Sequence, residues 1–298
     1  MSRRMTNTQK KDLRETLIFS FPAVLMVLLA MYIPFVMSGY YSLTEWNGIS
    51  QNPQFIGLEN FKRIFSSGSP EFVQALVFTG KYAALFIILT NVIALALAVA
   101  LNKKFHLANF LRGVYFLPYI MSMTIVGFIW KFIFTQGFEQ FYSLTGWGVW
   151  NLSWLGNGDL AFFSIVIVGV WQSLGFYIVL YIAGLQAVST DVLEAAAIDG
   201  ATGTQCFFRV ILPLLGPSIT TCMFMSLTNS LKVFDIILAL TKGGPGGSTY
   251  SATLDIYREA FQNNNYGYGS AKALVFFVVV LILTQVILKI FERREVEQ

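Results

Sequence analysis

Long apolar runs with charged residues only at their ends dominate the chain. A bilayer core about 30 Å thick requires about 20 apolar residues of helix, so each run is long enough to cross a membrane. Six such runs occur, at residues 17–41, 72–101, 112–134, 161–186, 214–240 and 271–291. The pattern predicts an all-α membrane protein with six transmembrane helices.

The segments between these runs are too short for a separate soluble domain of ordinary size. We therefore expect one membrane domain over residues 17–292, with short tails at 1–16 and 293–298. Glycine and proline residues in 42–71 favour turns over any long element in that loop.

The composition agrees with a membrane protein. Of the 298 residues, 55% are hydrophobic and 12% charged, whereas soluble domains carry about 25% charged residues. The net charge of +4 does not indicate a nucleic-acid partner, because the basic residues are scattered at helix ends. If the N-terminus is cytoplasmic, most positive charges lie inside, as the positive-inside rule prefers. We expect a multi-pass membrane protein, in contact with membrane lipid and with both termini cytoplasmic.

The sequence lacks common motifs for nucleotide binding and for hydrolytic catalysis. There is no Gly-x-x-x-x-Gly-Lys-Ser/Thr loop for nucleotide phosphates, no His-Glu-x-x-His and no Gly-x-Ser-x-Gly. The single histidine, His106, cannot form a multi-histidine metal site, and two cysteines, Cys206 and Cys222, do not suggest a structural disulfide. We expect a protein that is not an enzyme, with no catalytic residue, no bound metal and no cofactor of its own.

The segment between the fourth and fifth runs carries the most specific pattern. Asp191 with Glu194 fits a helix capping box, Gly200 is placed to end that helix in a left-handed turn, and Thr202 with Gln205 repeats the start signal. The pattern predicts a helix-turn-helix over residues 187–213 on the cytoplasmic surface. Its alanine-rich first helix suits close packing against another protein.

This segment resembles the coupling loop of ABC importer permeases. The family pattern runs Glu-Ala-Ala, Asp-Gly-Ala and, after a fixed interval, Leu-Pro-Leu-Leu and Pro, and the chain matches it from Glu194 to Pro217. The resemblance implies a location in the bacterial cytoplasmic membrane. It also implies docking into a cleft of a cytoplasmic ATPase dimer, which would bind ATP and Mg²⁺. The docking residues that it implies are Glu194, Ala195, Ala196, Asp199, Gly200 and Ala201.

Further motifs narrow the resemblance to the maltose-type class of carbohydrate permeases. They are Thr241-Lys-Gly-Gly-Pro-Gly-Gly-Ser-Thr249, Tyr257-Arg-Glu-Ala-Phe261 and Gly267-Tyr-Gly-Ser-Ala271. The chain resembles the subunit type with Gly-Gly-Pro after the fifth core helix. The resemblance implies a second, homologous permease subunit, an extracytoplasmic substrate-binding protein and a sugar or oligosaccharide as the substrate.

Polar and aromatic side chains inside the predicted spans are the candidates for a substrate path. Polar groups are costly in lipid and usually face a bundle interior or a water-filled path. Aromatic faces with amides and hydroxyls suit a sugar, and we expect Asp235 to neutralise Lys232. By resemblance to the family's sugar site and by residue type, the candidates are Ser122, Trp171, Gln172, Gly175, Phe176, Tyr177, Met225, Thr228, Asn229, Lys232 and Asp235.

Other interpretations stay open at this point. The same polar side chains could serve only as hydrogen-bonding contacts between helices. The same importer architecture could carry glycerol phosphate or a polyamine, for which a phosphate ligand would favour extra unpaired cations in the path. A transporter of another class, coupled to ions and working without an ATPase, would use the polar set of the fifth run as an ion path. The complete coupling pattern argues against this last interpretation.

Overall fold

The computed structural model describes residues 7–66, 70–103 and 106–292, and it is mostly helical. The predicted tails fall largely outside this part, since residues 1–6 and 293–298 are not described, and the first helix already begins at Asn7. The helices are α1 (Asn7–Val27), α2 (Ile33–Tyr41), α3 (Glu59–Phe65), α4 (Pro70–Leu101), α5 (Ala108–Ile120), α6 (Met123–Phe132), α7 (Phe138–Thr145), α8 (Gly158–Ala187), α9 (Thr190–Ile198), α10 (Gly203–Cys206), α11 (Leu212–Leu214), α12 (Gly216–Leu231), α13 (Asp235–Leu240), α14 (Ala252–Tyr257) and α15 (Tyr266–Glu292).

Short π-helical or 3₁₀ turns lie between several of these α-helices. Four π-helical turns lie within the described residues, and a 3₁₀ turn spans Gly148–Asn151. One π turn joins α1 to α2 just before Pro34, which cannot donate the hydrogen bond that an α-helix needs there. The π turns are Leu28–Tyr32, Ile133–Gly137, Phe207–Ile211 and Arg258–Gln262.

Membrane-length helices confirm the helical membrane class. Within the described residues, four helices are long and apolar enough to cross a bilayer, and two bent pairs reach that length only together. The third predicted run is broken between α5 and α6, and the fifth is broken between α12 and α13. The helices are Ile18–Tyr41, Glu71–Leu101, Gly158–Ala187 and Tyr266–Lys289; the pairs are Ala108–Ile120 with Met123–Thr145, bent by 98°, and Gly203–Leu214 with Gly216–Leu231, bent by 67°.

The chain divides into two compact units. The smaller holds the described parts of Met1–Gly68 together with Ile256–Val275. In it, β1 (Thr44–Glu45) pairs antiparallel with β2 (Gln54–Phe55), with Thr44 opposite Phe55. The Asn60 side chain, which is buried, donates hydrogen bonds to the carbonyls of Ser42 and Thr44 at 2.9 Å. These short elements agree with the prediction that the loop has no long one.

The larger unit comprises the described parts of Ser69–Asp255 and Phe276–Gln298. Its centre is α8, which packs along α4 and also against α5 and α12. Glycines make the close approaches possible: a Cβ at Gly169 would overlap the Tyr82 hydroxyl, and one at Gly184 would overlap Ser218. Two apolar clusters fill the unit around α8, and they bury residues such as Ile165, Val168 and Ile178.

Candidate functional site

At the break between α5 and α6, two backbone carbonyls accept hydrogen bonds from a side chain of α8. Met121 and Ser122 are extended, with ψ angles of 144° and 132°. The side-chain amide of Gln172 on α8 donates to the carbonyls of Tyr119, at 3.3 Å, and Met121, at 3.5 Å. Gln172 is buried, whereas Ser122 is exposed at the break. The structure therefore brings Ser122 and Gln172, both predicted from the sequence, to the same helix interruption.

Aromatic rings line the same region of α8. Phe176 stacks on Tyr119, with ring centroids 4.8 Å apart and planes 19° apart. Trp171 meets Trp130 edge to face at 5.4 Å and keeps 39% of its surface exposed. Flat rings beside amide groups form the kind of surface on which a sugar ring can stack.

The three candidate residues on α12 make different contacts. The Asn229 amide donates to the Tyr177 hydroxyl at 3.4 Å, and Asn229 is itself exposed. The Thr228 hydroxyl donates back to carbonyls of its own helix at 3.1 Å. Met225 packs on the cluster around the buried Tyr177. Asn229 is thus the α12 candidate whose polar group is open to a ligand.

Gly175 has a packing role in this structure. A Cβ at that position would lie 2.5 Å from the Cα atom of Phe116, closer than atoms approach in proteins. Tyr177 is also buried, with 1% of its surface exposed. Both residues therefore support the arrangement of helices, and neither presents a free surface to a ligand.

Lys232 and Asp235 were expected to form an ion pair within one helix, but α12 ends at Leu231 and α13 begins at Asp235. The hydroxyls of Ser251 and Thr253 donate to the Val233 carbonyl at 2.7 and 2.6 Å, which holds the chain in this break. Over the part of the chain that the structure describes, Lys232 and Asp235 do not pair, and both are exposed. The expected neutralisation of Lys232 was wrong.

The predicted helix-turn-helix is present in outline. Gly200 ends α9 with a φ of +78°, and Thr202 with Gln205 forms a capping box. The predicted N-cap of α9, Asp191, was wrong. The N-cap is Ser189, whose side-chain oxygen accepts a hydrogen bond from the backbone N–H of Asp191 at 3.2 Å. The second helix also continues through a π turn past Pro213 and breaks only at Leu215.

The exposed face of α9 differs from the set of residues predicted for docking. Glu194, Ala195 and Asp199 are exposed, but Ala196 is buried and Ala201 is half-buried. A large apolar side chain near the turn also projects outward, since Ile198 is 85% exposed. Exposed apolar groups rimmed by charges are typical of a protein-binding surface.

Comparison with known proteins identifies the family. A family model described as the binding-protein-dependent transport system inner membrane component matches residues 90–296, which is more than half of the chain. The chain belongs to this family. It is therefore a multi-pass component of an inner membrane and a permease, a transport component rather than an enzyme.

Two relatives agree with this assignment, and a solved structure shares the fold. The permease is 39% identical over 280 residues to the probable starch degradation products transport system permease protein AmyD of Thermoanaerobacterium thermosulfurigenes, covering 94% of each chain. It is 36% identical over 275 residues to the multiple sugar-binding transport system permease protein MsmF of Streptococcus mutans, covering 92% of this chain and 94% of that one. A crystal structure of a bacterial ABC transporter that imports the acidic polysaccharide alginate shares the fold, with a TM-score of 0.81 at 22% identity over 97% of this chain and 99% of that one.

Two residues of the permease site were missed by sequence reasoning. Tyr119 supplies both the ring under Phe176 and a carbonyl for Gln172, and Trp130 contacts Trp171. Pro118 inside the third apolar run was the available signal, because proline removes a helical donor and favours a break nearby.

Proposed function

We propose that this permease is one subunit of an ATP-driven importer for a sugar or oligosaccharide. The observation that carries the proposal is the set of rings and amides at the α5–α6 break, formed by Phe176, Trp171, Gln172 and, from α12, Asn229. Transporter substrate sites commonly form at discontinuous helices, where freed backbone groups line a cavity. The names of the relatives, which concern starch degradation products and multiple sugars, favour a carbohydrate.

Several site residues are exposed in the isolated chain, which supports a second, homologous permease subunit as a partner. Ser122, Trp171 and Asn229 each present surface outside their own helix bundle. Polar side chains in a membrane segment need a polar or protein environment. A second permease subunit would complete the path between the two chains, and an extracytoplasmic binding protein would deliver the substrate.

The exposed face of α9 supports docking to a separate cytoplasmic ATPase dimer that carries ATP and Mg²⁺. Glu194 and the small Ala195 side chain lie on the exposed surface, so a partner could approach the helix closely and offer a cation to the carboxylate. ATP binding would favour the closed ATPase pair, which would move α9 and turn the path outward.

The packing of α4 and α8 supports six membrane crossings, with both termini cytoplasmic. Phe78 contacts Phe162, and Asn91 bonds Tyr181, so the two helices run parallel. Parallel helices start on the same side of the membrane. The chain between them must then cross once, and the bent pair α5 to α7 is long enough to do so.

Sugar-stimulated ATP hydrolysis in lipid is the test of this function. We expect hydrolysis to depend on the binding protein and its sugar when the permease is reconstituted with its partners, and transport to be absent from the chain alone. The variant E194A should hydrolyse ATP while transporting at least about tenfold less, a change of about 1.4 kcal/mol in coupling. The matched control E139Q changes an exposed carboxylate on α7 and should leave transport unchanged. Uptake by the isolated chain would instead show an ion-coupled transporter.

A phosphorylated substrate such as glycerol phosphate is the second candidate. The exposed Lys232, which does not pair with Asp235 within the described residues, favours it, because an unpaired cation attracts phosphate. A polyamine would instead be repelled by this lysine. K232Q separates the candidates: the concentration for half-maximal stimulation should stay about constant for a neutral sugar and rise about tenfold for a phosphate ester.

A further inference from the structure

A groove between α4 and α8 lies outside the proposed transport site. It has a volume of about 500 Å³ and apolar walls that include Val77, Phe78 and Phe163, together with two charged side chains, Lys81 and Asp159. Both charged residues are exposed. Across residues 7–66, 70–103 and 106–292, neither forms an ion pair.

Lys81 lies inside a helix that is long enough to cross the membrane, within the span Glu71–Leu101. A charged side chain in such a span is costly unless a partner compensates it. A lysine can extend its stem along apolar surface and place its ammonium group nearer the headgroups. We therefore expect the ammonium group of Lys81 to bind an anionic group close to the membrane interface.

The contacts between the helices fix the relative heights of the two charges. The rings of Phe78 and Phe162 meet edge to face, with centroids 5.4 Å apart. Lys81 comes three residues after Phe78, and Asp159 three residues before Phe162. At 1.5 Å per residue, the two backbone positions differ by about 9 Å along the parallel helices. The carboxylate lies nearer the N-terminal ends and the lysine lies deeper.

Beyond Lys81, the faces of α4 and α8 that line the groove carry exposed apolar side chains at helical spacing. Ile88 and Val92 of α4 are 58% and 63% exposed, and Ile167 of α8 is 42% exposed. From the helix N-termini inward, the order is thus a carboxylate, an ammonium group and a hydrocarbon surface. An aminophospholipid in that leaflet presents the complementary order: an ammonium group outermost, then a phosphate, then acyl chains.

We propose that this groove binds an aminophospholipid of the phosphatidylethanolamine type. Lys81 binds the lipid phosphate, Asp159 accepts hydrogen bonds from its primary ammonium group, and the acyl chains run along Ile88 and Ile167. Opposite charges at two heights match a zwitterionic headgroup better than a purely anionic one, because Asp159 repels a second negative charge. The occupant is independent of the substrate that the permease transports.

Lipid retention tests the proposal. The full chain, purified with the subunits that accompany it and stripped of lipid, is given phosphatidylethanolamine, phosphatidylcholine and phosphatidylglycerol with identical acyl chains, and bound lipid is counted by native mass spectrometry. We expect phosphatidylethanolamine to be retained about five- to tenfold better than phosphatidylcholine, whose methylated ammonium group cannot donate to Asp159. D159N should abolish this preference, and K81Q should weaken retention of all three lipids.

A control and a second measurement keep the result decisive. K289Q removes an exposed lysine at the C-terminal end of the span Tyr266–Lys289 and should leave the preference unchanged. A photoreactive residue in place of Val77 should cross-link to lipid in the native membrane. Equal retention of the two zwitterionic lipids, unchanged retention in K81Q, or cross-linking of position 77 to a protein subunit would each overturn the proposal.

Discussion

At the residue scale, a buried amide joins three helices of the larger unit. Asn91 on α4 donates to the Ser226 hydroxyl at 3.0 Å and accepts the Tyr181 hydroxyl at 2.7 Å. All three side chains are buried. A buried polar group that loses its partner costs more free energy than the hydrogen bond contributes, because no water replaces the partner. Asn91 therefore holds α4, α8 and α12 in register.

Replacing Asn91 tests whether these hydrogen bonds contribute to stability as one network. We expect N91L to lower the free energy of unfolding by about 1–3 kcal/mol, because the buried Tyr181 hydroxyl loses its Asn91 acceptor, whereas the Ser226 hydroxyl keeps its bond to the Met223 carbonyl. Y181F should cost less, and the double variant should lose less than the sum of the two. Thermal unfolding in detergent measures the three values, with the exposed T221A as the control. Strictly additive losses would contradict a shared network.

A second residue pair, in the smaller unit, predicts a pH dependence. Lys272 donates to Glu259 at 3.0 Å, and the two side chains are 3% and 12% exposed. Burial raises the pKa of Glu259, but hydrogen bonds from Asn265 and Lys272 and the charge of Lys272 outweigh it, so the pKa is lowered. A carboxyl group with a lowered folded pKa stabilises the protein above its unfolded pKa of about 4.3 and loses this effect as the pH falls through the folded value.

We therefore expect E259Q to unfold at a lower temperature than the wild type at pH 7, since it removes the carboxylate charge that the Lys272 ammonium group contacts, a loss of about 1.5–3 kcal/mol. The difference should shrink as the pH falls below about 4.3. K62Q, which removes the exposed Lys62–Glu59 pair, should cost at most about 1 kcal/mol at pH 7. Unfolding curves of the three proteins from pH 7 to pH 3.5 measure this, and a constant difference would refute the assignment.

At the scale of elements, the crossing of α5 and α8 depends on Gly175. Because a Cβ there would overlap the backbone of Phe116, we expect G175A to destabilise the protein by about 1–3 kcal/mol through displacement of α5. Gly113 on α5 is the matched control, since a Cβ there has no neighbour within 4 Å, and G113A should be neutral or slightly stabilising. Thermal unfolding distinguishes the two. Normal stability of G175A with weakened substrate stimulation would restore Gly175 as a ligand residue.

Element type could be predicted from the sequence because apolar runs of bilayer length have few alternatives to a helix. The break between α12 and α13 could not be predicted, whereas Pro118 gave a signal for the break between α5 and α6. Nothing in the sequence from Leu231 to Asp235 marks a helix end, and the break is held by the hydroxyls of Ser251 and Thr253, which lie 18 and 20 residues after Val233 and donate to its carbonyl. The cap of α9 was missed for a local reason, because Ser189 and Asp191 are both good N-cap residues.

The candidate site, too, could be predicted from the sequence only in part. Residue types and family resemblance identified Gln172, Phe176 and Asn229, whose contacts the structure places together. Periodicity alone could not tell that Tyr177 is buried while Trp171, on the same helix, keeps an exposed face. Which side of a polar helix faces a ligand depends on where its neighbours pack, and that information is spread over the whole fold.

At the scale of the whole molecule, the number of membrane crossings determines on which side of the membrane each loop lies. Six crossings place the α9 segment opposite the loops after α7 and α13, whereas a re-entrant α5 to α7 would place α8 and α4 antiparallel. The parallel contacts of α4 and α8 in the larger unit oppose the second arrangement. The α12 helix then runs back across, because Gly184 lies near Ser218 while Tyr177 accepts from Asn229.

Labelling of single cysteines tests this topology in intact cells. In a background of C206A and C222A, we expect a membrane-impermeant maleimide to label T145C, at the end of α7, and N47C, but to leave T204C unlabelled until the membrane is opened. All three positions are exposed in the structure, so a failure to react reports the membrane rather than burial. Labelling of T145C and T204C from the same side would refute six crossings and would remove α9 from the cytoplasmic face on which ATPase docking depends.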